Sequence, residues 1–338
     1  MKGEILPVGK VPIHILEKLL KSIPVKDKRV ILSGKIGEDV AVIEYPDRFL
    51  AVKIDPITLT GKEIGWYVVN INANDIVTSG AVPRFFLVTA LLPEKKTDER
   101  SINEIFDQIK DACDSLDITL CGGHTEITAS LKNPILVGTM LGEGEKNKML
   151  TTSGAKVGDD ILLTKGIAVE ATSIISREKE KFLLKKYSSK FIERCKGFLY
   201  EPGISVVKDA LIANKAGGVH SMHDPTEGGI ATGLLEIAKA AKVGLMVEEE
   251  RIKILEETHL LAEEFGIDPL GVIASGSLLI TCNATSTPRI IKALKESGID
   301  CFRIGRITES CKGIKMRTTD NRVTDLSAFK RDEIVKIY

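Results

Sequence analysis

Four short segments of the first half gather acidic and amide side chains beside glycine. Gly37-Glu38-Asp39 stands directly before the apolar run Val40-Ala41-Val42-Ile43. Glycine lets the backbone approach a phosphate closely, and a carboxylate at the mouth of a strand can hold Mg²⁺, which prefers oxygen ligands and bridges to phosphate. The same triplet also serves as an ordinary turn. Asp55-Pro56 closes the apolar run Phe49 to Ile54; an Asp there is a ligand position and equally a turn former before proline. Asn70-Ile71-Asn72-Ala73-Asn74-Asp75 puts amides and a carboxylate where helix propensity disfavours them. Positions 70 and 74 share one helical face and 72 and 75 another, which suits metal–phosphate contact or an irregular capping segment. Cys121-Gly122-Gly123-His124-Thr125-Glu126 forms a compact polar site after a strand, where Glu126 can take Mg²⁺ or a water on it.

The second half offers His223-Asp224-Pro225-Thr226-Glu227-Gly228-Gly229 at the start of a helix. A Gly-Gly pair at a helix N-terminus leaves free N–H groups at the positive end of a dipole, an anion site. His220 and His223 have no further His or Cys partner that would complete a zinc set. The common phosphate loop, the dinucleotide fingerprint and the kinase catalytic loop are all missing. ATP, if bound, is held outside those motifs.

Regular elements must carry these segments. Ile13 to Ser22, after Pro12 as its cap, alternates like an amphipathic helix, and Pro24 closes it. Val40–Glu44 and Phe49–Ile54 flank Tyr45-Pro46-Asp47 as a hairpin. Ile64, Val68, Ile71 and Ile76 are spaced as a helix that stops at Gly80. Phe85–Leu92 reads as a strand, Ser101–Leu116 as a helix, and Ile118–Cys121 and Ile135–Leu141 as strands around a Gly-rich connection. The polar stretch Gly142 to Lys148 marks a boundary. Beyond it, Ile161–Thr164, Ser277–Thr281 and Phe302–Ile307 read as strands, and Gly203–Ala216, Gly228–Ala241, Glu256–Phe265 and Pro288–Ser297 as helices. The Lys/Glu-dense stretch Arg177 to Lys196 reads as a solvated helical insert.

The bulk numbers set limits. A chain of 338 residues is expected to hold two domains at ~150 residues each. Its 43% hydrophobic and 28% charged residues are those of a globular protein, and 47 basic residues cancel 47 acidic ones. Nothing in that balance recommends nucleic acid or an anionic membrane as a partner. No apolar run approaches the ~20 residues of a membrane span, and the Met1–Ile5 start is too short for a secretory signal, so a cytoplasmic location is expected. Six cysteines without a CxxC pair read as small hydrophobes kept reduced.

Taken in order, the Gly-Glu-Asp triplet, the strand-end Asp, the Asn run, Ser79-Gly80-Ala81-Val82-Pro83, Gly122-Gly123-His124-Thr125-Glu126 and Asp224-Pro225-Thr226-Glu227-Gly228-Gly229 resemble the aminoimidazole ribonucleotide (AIR) synthetase, or PurM-like, superfamily. The segments His223–Gly229 and Gly266-Ile267-Asp268-Pro269-Leu270 are most similar to its hydrogenase-maturation branch, HypE. The resemblance implies an α/β (α+β) fold of two domains. Residues 1–147 would form an ATP- and Mg²⁺-binding domain whose strands pair with a second subunit in a dimeric barrel, and residues 148–338 a C-terminal α/β domain. It also implies a homodimer in which Asp39, Asp55, Asp75 and Glu126 hold Mg²⁺, while Gly37, Asn72, Asn74, Gly122, Gly123, Asp224, Glu227 and Gly228 bind ATP. The implied activity is phosphoryl activation of an oxygen on a small-molecule or protein substrate. A non-catalytic ATP-binding maturation scaffold and a thiamine-monophosphate kinase-like enzyme are the alternatives. In HypE the substrate is a thiocarbamate on the C-terminal cysteine. This sequence ends Asp332-Glu333-Ile334-Val335-Lys336-Ile337-Tyr338 and its last cysteine is Cys311, so self-dehydration is not expected.

Overall fold

Alternation in one strand shows how the first half is built. Phe49, Ala51, Lys53 and Asp55 lie on one face of the strand Arg48–Ile57 and Leu50, Val52 and Ile54 on the other, since successive strand side chains point oppositely. The face with Phe49 packs on a helix, Ile64–Thr78, and the face with Ile54 is turned outward. The computed structural model describes residue 11 and residues 13–35, 37–58 and 60–338; Pro12, read above as a helix cap, lies outside them.

The first sheet comprises β1 (Val30–Leu32), β2 (Ala41–Glu44), β3 (Arg48–Ile57), β4 (Val82–Pro93), β5 (Thr119–Thr128) and β6 (Ile135–Glu145), in the order β1-β2-β3-β6-β4-β5. Helix α1 is Ile13–Ser22, α2 is Ile64–Thr78 and α3 is Glu99–Ser115. The β2–β3 hairpin forms as the sequence predicts, with Ala41 opposite Val52. In this sheet β4 and β5 run parallel, and α3 supplies the crossover that a parallel pair requires. An Asp98 capping box starts that helix.

Helix α2 is buried nearly all round, Trp66 being its half-buried exception. Such a helix belongs in a core, and it carries the Asn run and Asp75 with it. Its approach to the sheet is close. A Cβ on Gly138 would meet Asn72 Nδ2 at 2.5 Å, and one on Gly142 would meet Ile76 Cγ2 at 2.2 Å.

Segment 122–128 differs from the sequence reading. It is not a Gly-rich connection but the greater part of β5, an exposed edge strand. Extended pairing with β4 continues as far as Pro93 opposite Thr128. Glycine is needed because Gly123 adopts φ 154° with its Cα against β4; a Cβ there would lie 1.8 Å from the Val88 carbonyl oxygen.

The second sheet comprises β7 (Asp160–Thr164), β8 (Val219–His223), β9 (Gly244–Glu248), β10 (Leu279–Cys282), β11 (Cys301–Thr308), β12 (Ile314–Arg317) and β13 (Val323–Asp325), ordered β13-β12-β9-β11-β7-β10-β8. Every residue of β7 is buried. The helices are α4 (Val169–Glu178), α5 (Glu180–Leu183), α6 (Ser189–Gly197), α7 (Val207–Ala216), α8 (Gly229–Ala241), α9 (Glu256–Phe265) and α10 (Thr287–Glu296). The expected helix from Gly203 begins only at Val207, because the backbone of residues 204–206 is held by a side chain of α2. The insert Arg177–Lys196 is not merely solvated: Leu183, Ile192 and Cys195 are buried in a cluster with α4, α9 and Tyr67 of α2. One core runs from the first sheet through α2 into α7, α10 and β10. Among the described residues no helix is long and apolar enough to cross a membrane.

Candidate metal and nucleotide site

The C-terminal half of α2 meets the loop before β2, the strand β3 and the end of β8. Asp39 comes from the loop, Lys53 and Asp55 from β3, Asp75 from α2, and His223 and Asp224 from β8 and its exit. The carboxylates of Asp39, Asp75 and Asp224 present ligand oxygens within 4.8 Å of one another. At that separation each ionised pair repels by about 3–4 kcal/mol at an effective dielectric near 20. The site must therefore be neutralised from within or by a cation.

Two side chains do part of that work. Lys53 Nζ lies 3.1 Å from Asp75 Oδ1 and 3.4 Å from Asp55 Oδ2. Burial disfavours its charge, but Asp75, Asp55, Asp39 and Asp224 outweigh that and hold the ammonium far above its ordinary range. His223 has Nδ1 3.0 Å from Asp39 Oδ2 and Nε2 2.8 Å from Glu236 Oε2. A ring with a carboxylate on each nitrogen donates from both, as the imidazolium. Burial would lower its pKa, yet Asp39 and Glu236 raise it well above the usual value.

The remaining carboxylates crowd one another's charge. Burial, followed by the neighbouring acids, pushes Asp75 and Asp224 upward. Both oxygens of Asp224, and Oδ2 of Asp75, are buried without a hydrogen-bond partner. Buried acceptors are almost always satisfied, and an all-oxygen carboxylate set is what Mg²⁺ takes. On those observations the residues fit one divalent cation at Asp39, Asp75 and Asp224. Thr78 Oγ1 borders the set, 3.2 Å from Asp39 Oδ2, while donating to the Asp75 carbonyl.

The other predicted residues take separate places. Asn72 is a clamp: its Oδ1 accepts from Asp55 N at 3.0 Å, and its Nδ2 donates to Val68 O and Asp55 O. Asn74 donates to Ile204 O and accepts from Val206 N, each at 2.8 Å, and so fixes the 204–206 backbone. Gly37, at φ 84°, packs on α8, where a Cβ would sit 3.1 Å from Glu236 O. Gly228 stands at the N-terminus of α8 as expected, but its N–H donates to Asp332 Oδ2 at 2.6 Å. Glu227 is half-buried beside it. Gly122, Gly123 and Glu126 lie on edge strand β5, with β6 and β4 between them and β3. Glu126 is exposed there, 3.6 Å from His124 Nε2, and within one chain it is not part of the acidic cluster.

Sequence reasoning misses Lys53 and Glu236 and gives His223 no role. One signal is available for Lys53, since it stands two residues before Asp55 and shares its face. Glu236 gives none, because only the packing of α8 brings it to β8.

Residues 37–143 match the N-terminal domain of AIR synthase related proteins, and residues 156–316 match the C-terminal domain. A putative hydrogenase expression/formation protein of Methanocaldococcus jannaschii is 24% identical over 331 residues, covering 92% of this chain and 93% of the relative. Carbamoyl dehydratase HypE of Cupriavidus necator is 26% identical over 273 residues, covering 78% and 74%. The crystal structure of the hydrogenase maturation protein HypE in complex with ATP superposes with a TM-score of 0.73 at 20% identity, covering 94% of this chain and 91% of that one.

The charge balance sets a pH dependence. Asp75 and Asp224 have folded pKa values above the unfolded one. The metal-free fold is therefore favoured below about pH 4, where both are protonated in either state, and loses that advantage as pH rises through their folded values. A divalent cation binds the ionised forms. The rise in Tm on adding Mg²⁺ should accordingly grow from about pH 5 to about pH 8 and vanish in Asp224→Asn. Thermal unfolding in EDTA and in excess Mg²⁺ measures both.

Proposed function

This chain belongs to the AIR synthase related, PurM-like family, and from that membership we propose that it binds ATP with Mg²⁺ and activates an oxygen of its substrate by phosphorylation. The observation that carries the reading is the trio Asp39, Asp75 and Asp224, whose carboxylates converge within 4.8 Å and include the buried, unpartnered oxygens of Asp75 and Asp224. Such a set costs stability unless a cation uses it. Phosphoryl transfer asks of a protein mainly positioning and charge neutralisation, and this site offers both. The bound cation would screen the phosphate oxygens. Lys53 and His223 keep the acids from repelling the nucleotide, and Asn72 and Asn74 hold the frame around them. The relative that covers 78% of this chain is a carbamoyl dehydratase, which supports a carboxamide or similar oxygen as the acceptor. The residues before and after the boundary at 147 divide, on this reading, into an ATP/Mg²⁺ domain (1–147) and a second PurM-like domain (148–338) that lends Asp224 and His223 to the site.

A homodimer through the first sheet is part of the same proposal. On the outward face, Ile54, Thr139 and Leu87 form one cross-strand row, and Val52, Leu141 and Phe85 another. Ile54, Phe85 and Leu87 are 62, 40 and 38% exposed, an apolar patch of the kind that marks an interface. A second copy would cover the patch face to face. His124 and Glu126 stand at its β5 rim, so the dimer would bring them to the shared surface.

Calorimetric titration of Mg·ATP should show affinity falling by about tenfold or more in Asp39→Asn and in Asp75→Asn, with circular dichroism unchanged. Unaltered affinity in both variants refutes the site. Sedimentation at micromolar concentration should give twice the 36.8 kDa chain mass, and Leu87→Asp together with Ile54→Lys should shift it to the monomer. A wild-type monomer removes the shared sheet face from the proposal.

A further inference from the structure

The acidic cluster is lopsided, and the inference that follows rests on its reading as a nucleotide–magnesium centre. Asp75 divides its two oxygens between different environments. Oδ1 faces Lys53 Nζ at 3.1 Å, whereas Oδ2 is buried without a partner, in a carboxylate that converges with those of Asp224 and Asp39. Asp55 is drawn to the lysine side, with Oδ2 at 3.4 Å from the same ammonium. Lys53 has little freedom to leave. Its side chain is 20% exposed, and its backbone is paired with Met140 in the middle of β3 and β6. Asp55 is no freer, since Asn72 grips both its N–H and its carbonyl.

We propose that Lys53 is a resident cation of the site: its ammonium fills the gap between Asp55 and Asp75, so that the cluster accepts one divalent ion, at Asp39, Asp75 and Asp224, and none at Asp55. An ion placed between Asp55 and Asp75 would sit against a fixed positive charge. His223 acts in the same manner between Asp39 and Glu236. An ammonium has three donors; with two directed at Asp55 and Asp75, the third is available to a phosphate oxygen. Lys53 thereby positions the nucleotide by a direct charge contact where a metal ion would otherwise act.

The test counts Mn²⁺ on the full-length protein by the loss of the free-ion paramagnetic signal, without nucleotide and with a non-hydrolysable ATP analogue. The wild type should take up one Mn²⁺ per chain. Lys53→Met, of similar length and uncharged, should gain a second, while Lys53→Arg stays at one. Asp224→Asn should lose the single ion, and Asp55→Asn should keep it. Two ions or none on the wild type, a Lys53→Met count that stays at one, or loss of the ion in Asp55→Asn each overturns the proposal. Should Lys53→Met fail to fold, the wild-type and Asp55→Asn counts still decide. If the analogue fails to bind while the nucleotide-free counts follow the expected pattern, the nucleotide reading fails and the resident-cation assignment stands.

Discussion

Like charges buried together are the constraint on which this architecture turns. Asp39, Asp75 and Asp224 approach one another from a loop, a helix and a strand end, and the interior offers them little water. Their separation makes full ionisation costly without compensation. The compensation is drawn from elements far apart in sequence: Lys53 from β3, His223 from β8, and Glu236 from α8 to complete the imidazolium. The full set of these contacts forms only when both sheets are in place. The cluster is therefore a product of the whole fold, and its net negative charge is what remains for a cation to answer.

Helix α2 is the element that makes the gathering possible. Its burial on nearly all sides conflicts with three asparagines and an aspartate in its middle turns. Tertiary hydrogen bonds resolve that conflict for Asn72 and Asn74, while Asn70 donates only to Trp66 O within the helix and Asp75 Oδ2 is left to the acidic cluster. Asn72 ties the helix to the backbone of Asp55, and Asn74 ties it to the backbone of residues 204–206. An amide that donates and accepts at once satisfies a backbone N–H and a C=O together. The two clamps thus set the positions of β3 and of the segment entering α7 relative to Asp75. Glycines 138 and 142 let β6 pass close enough for the clamp to reach. The poor helix formers Asn72 and Asn74 are explained by tertiary hydrogen bonding, which overrides local propensity.

Much of this is legible in the sequence, and the limits are physical. The β2–β3 hairpin, α2 and the strands around β7 follow from apolar period and turn residues. Asp39, Asp55 and Asp75 stand out because carboxylates beside glycine and amides are costly in a core. Sequence places Asp224 with the nucleotide rather than with the metal, since adjacency to Gly-Gly suggests a helix N-terminus while its burial cannot be read. The Gly122–Thr128 segment misleads for the opposite reason. Two glycines usually signal a turn, but here Gly123 admits β5 to close parallel pairing with β4, a tertiary fact with no local signature. Glu236 is invisible to sequence because it sits on an ordinary amphipathic helix and acquires its role only from what α8 packs against.

The N-terminus of α8 limits where an anion can be met. By sequence it is a phosphate site, with Gly228 and Gly229 exposing N–H groups at a positive dipole end. In the fold Asp332 already lies there. One of its oxygens accepts from Gly228 N and the other from Ile273 N and Ile334 N, while Ile334 and Ile337 bury themselves against α4 and α9. A carboxylate with such backbone donors answers the helix dipole as a phosphate would. On the proposed reading phosphate is met instead at the cluster, by Lys53 and a cation held at Asp39, Asp75 and Asp224. The chain's own carboxylate at α8 and the resident ammonium at β3 are two halves of one arrangement: one removes a competing anion site, and the other supplies charge where the acids would otherwise repel the ligand.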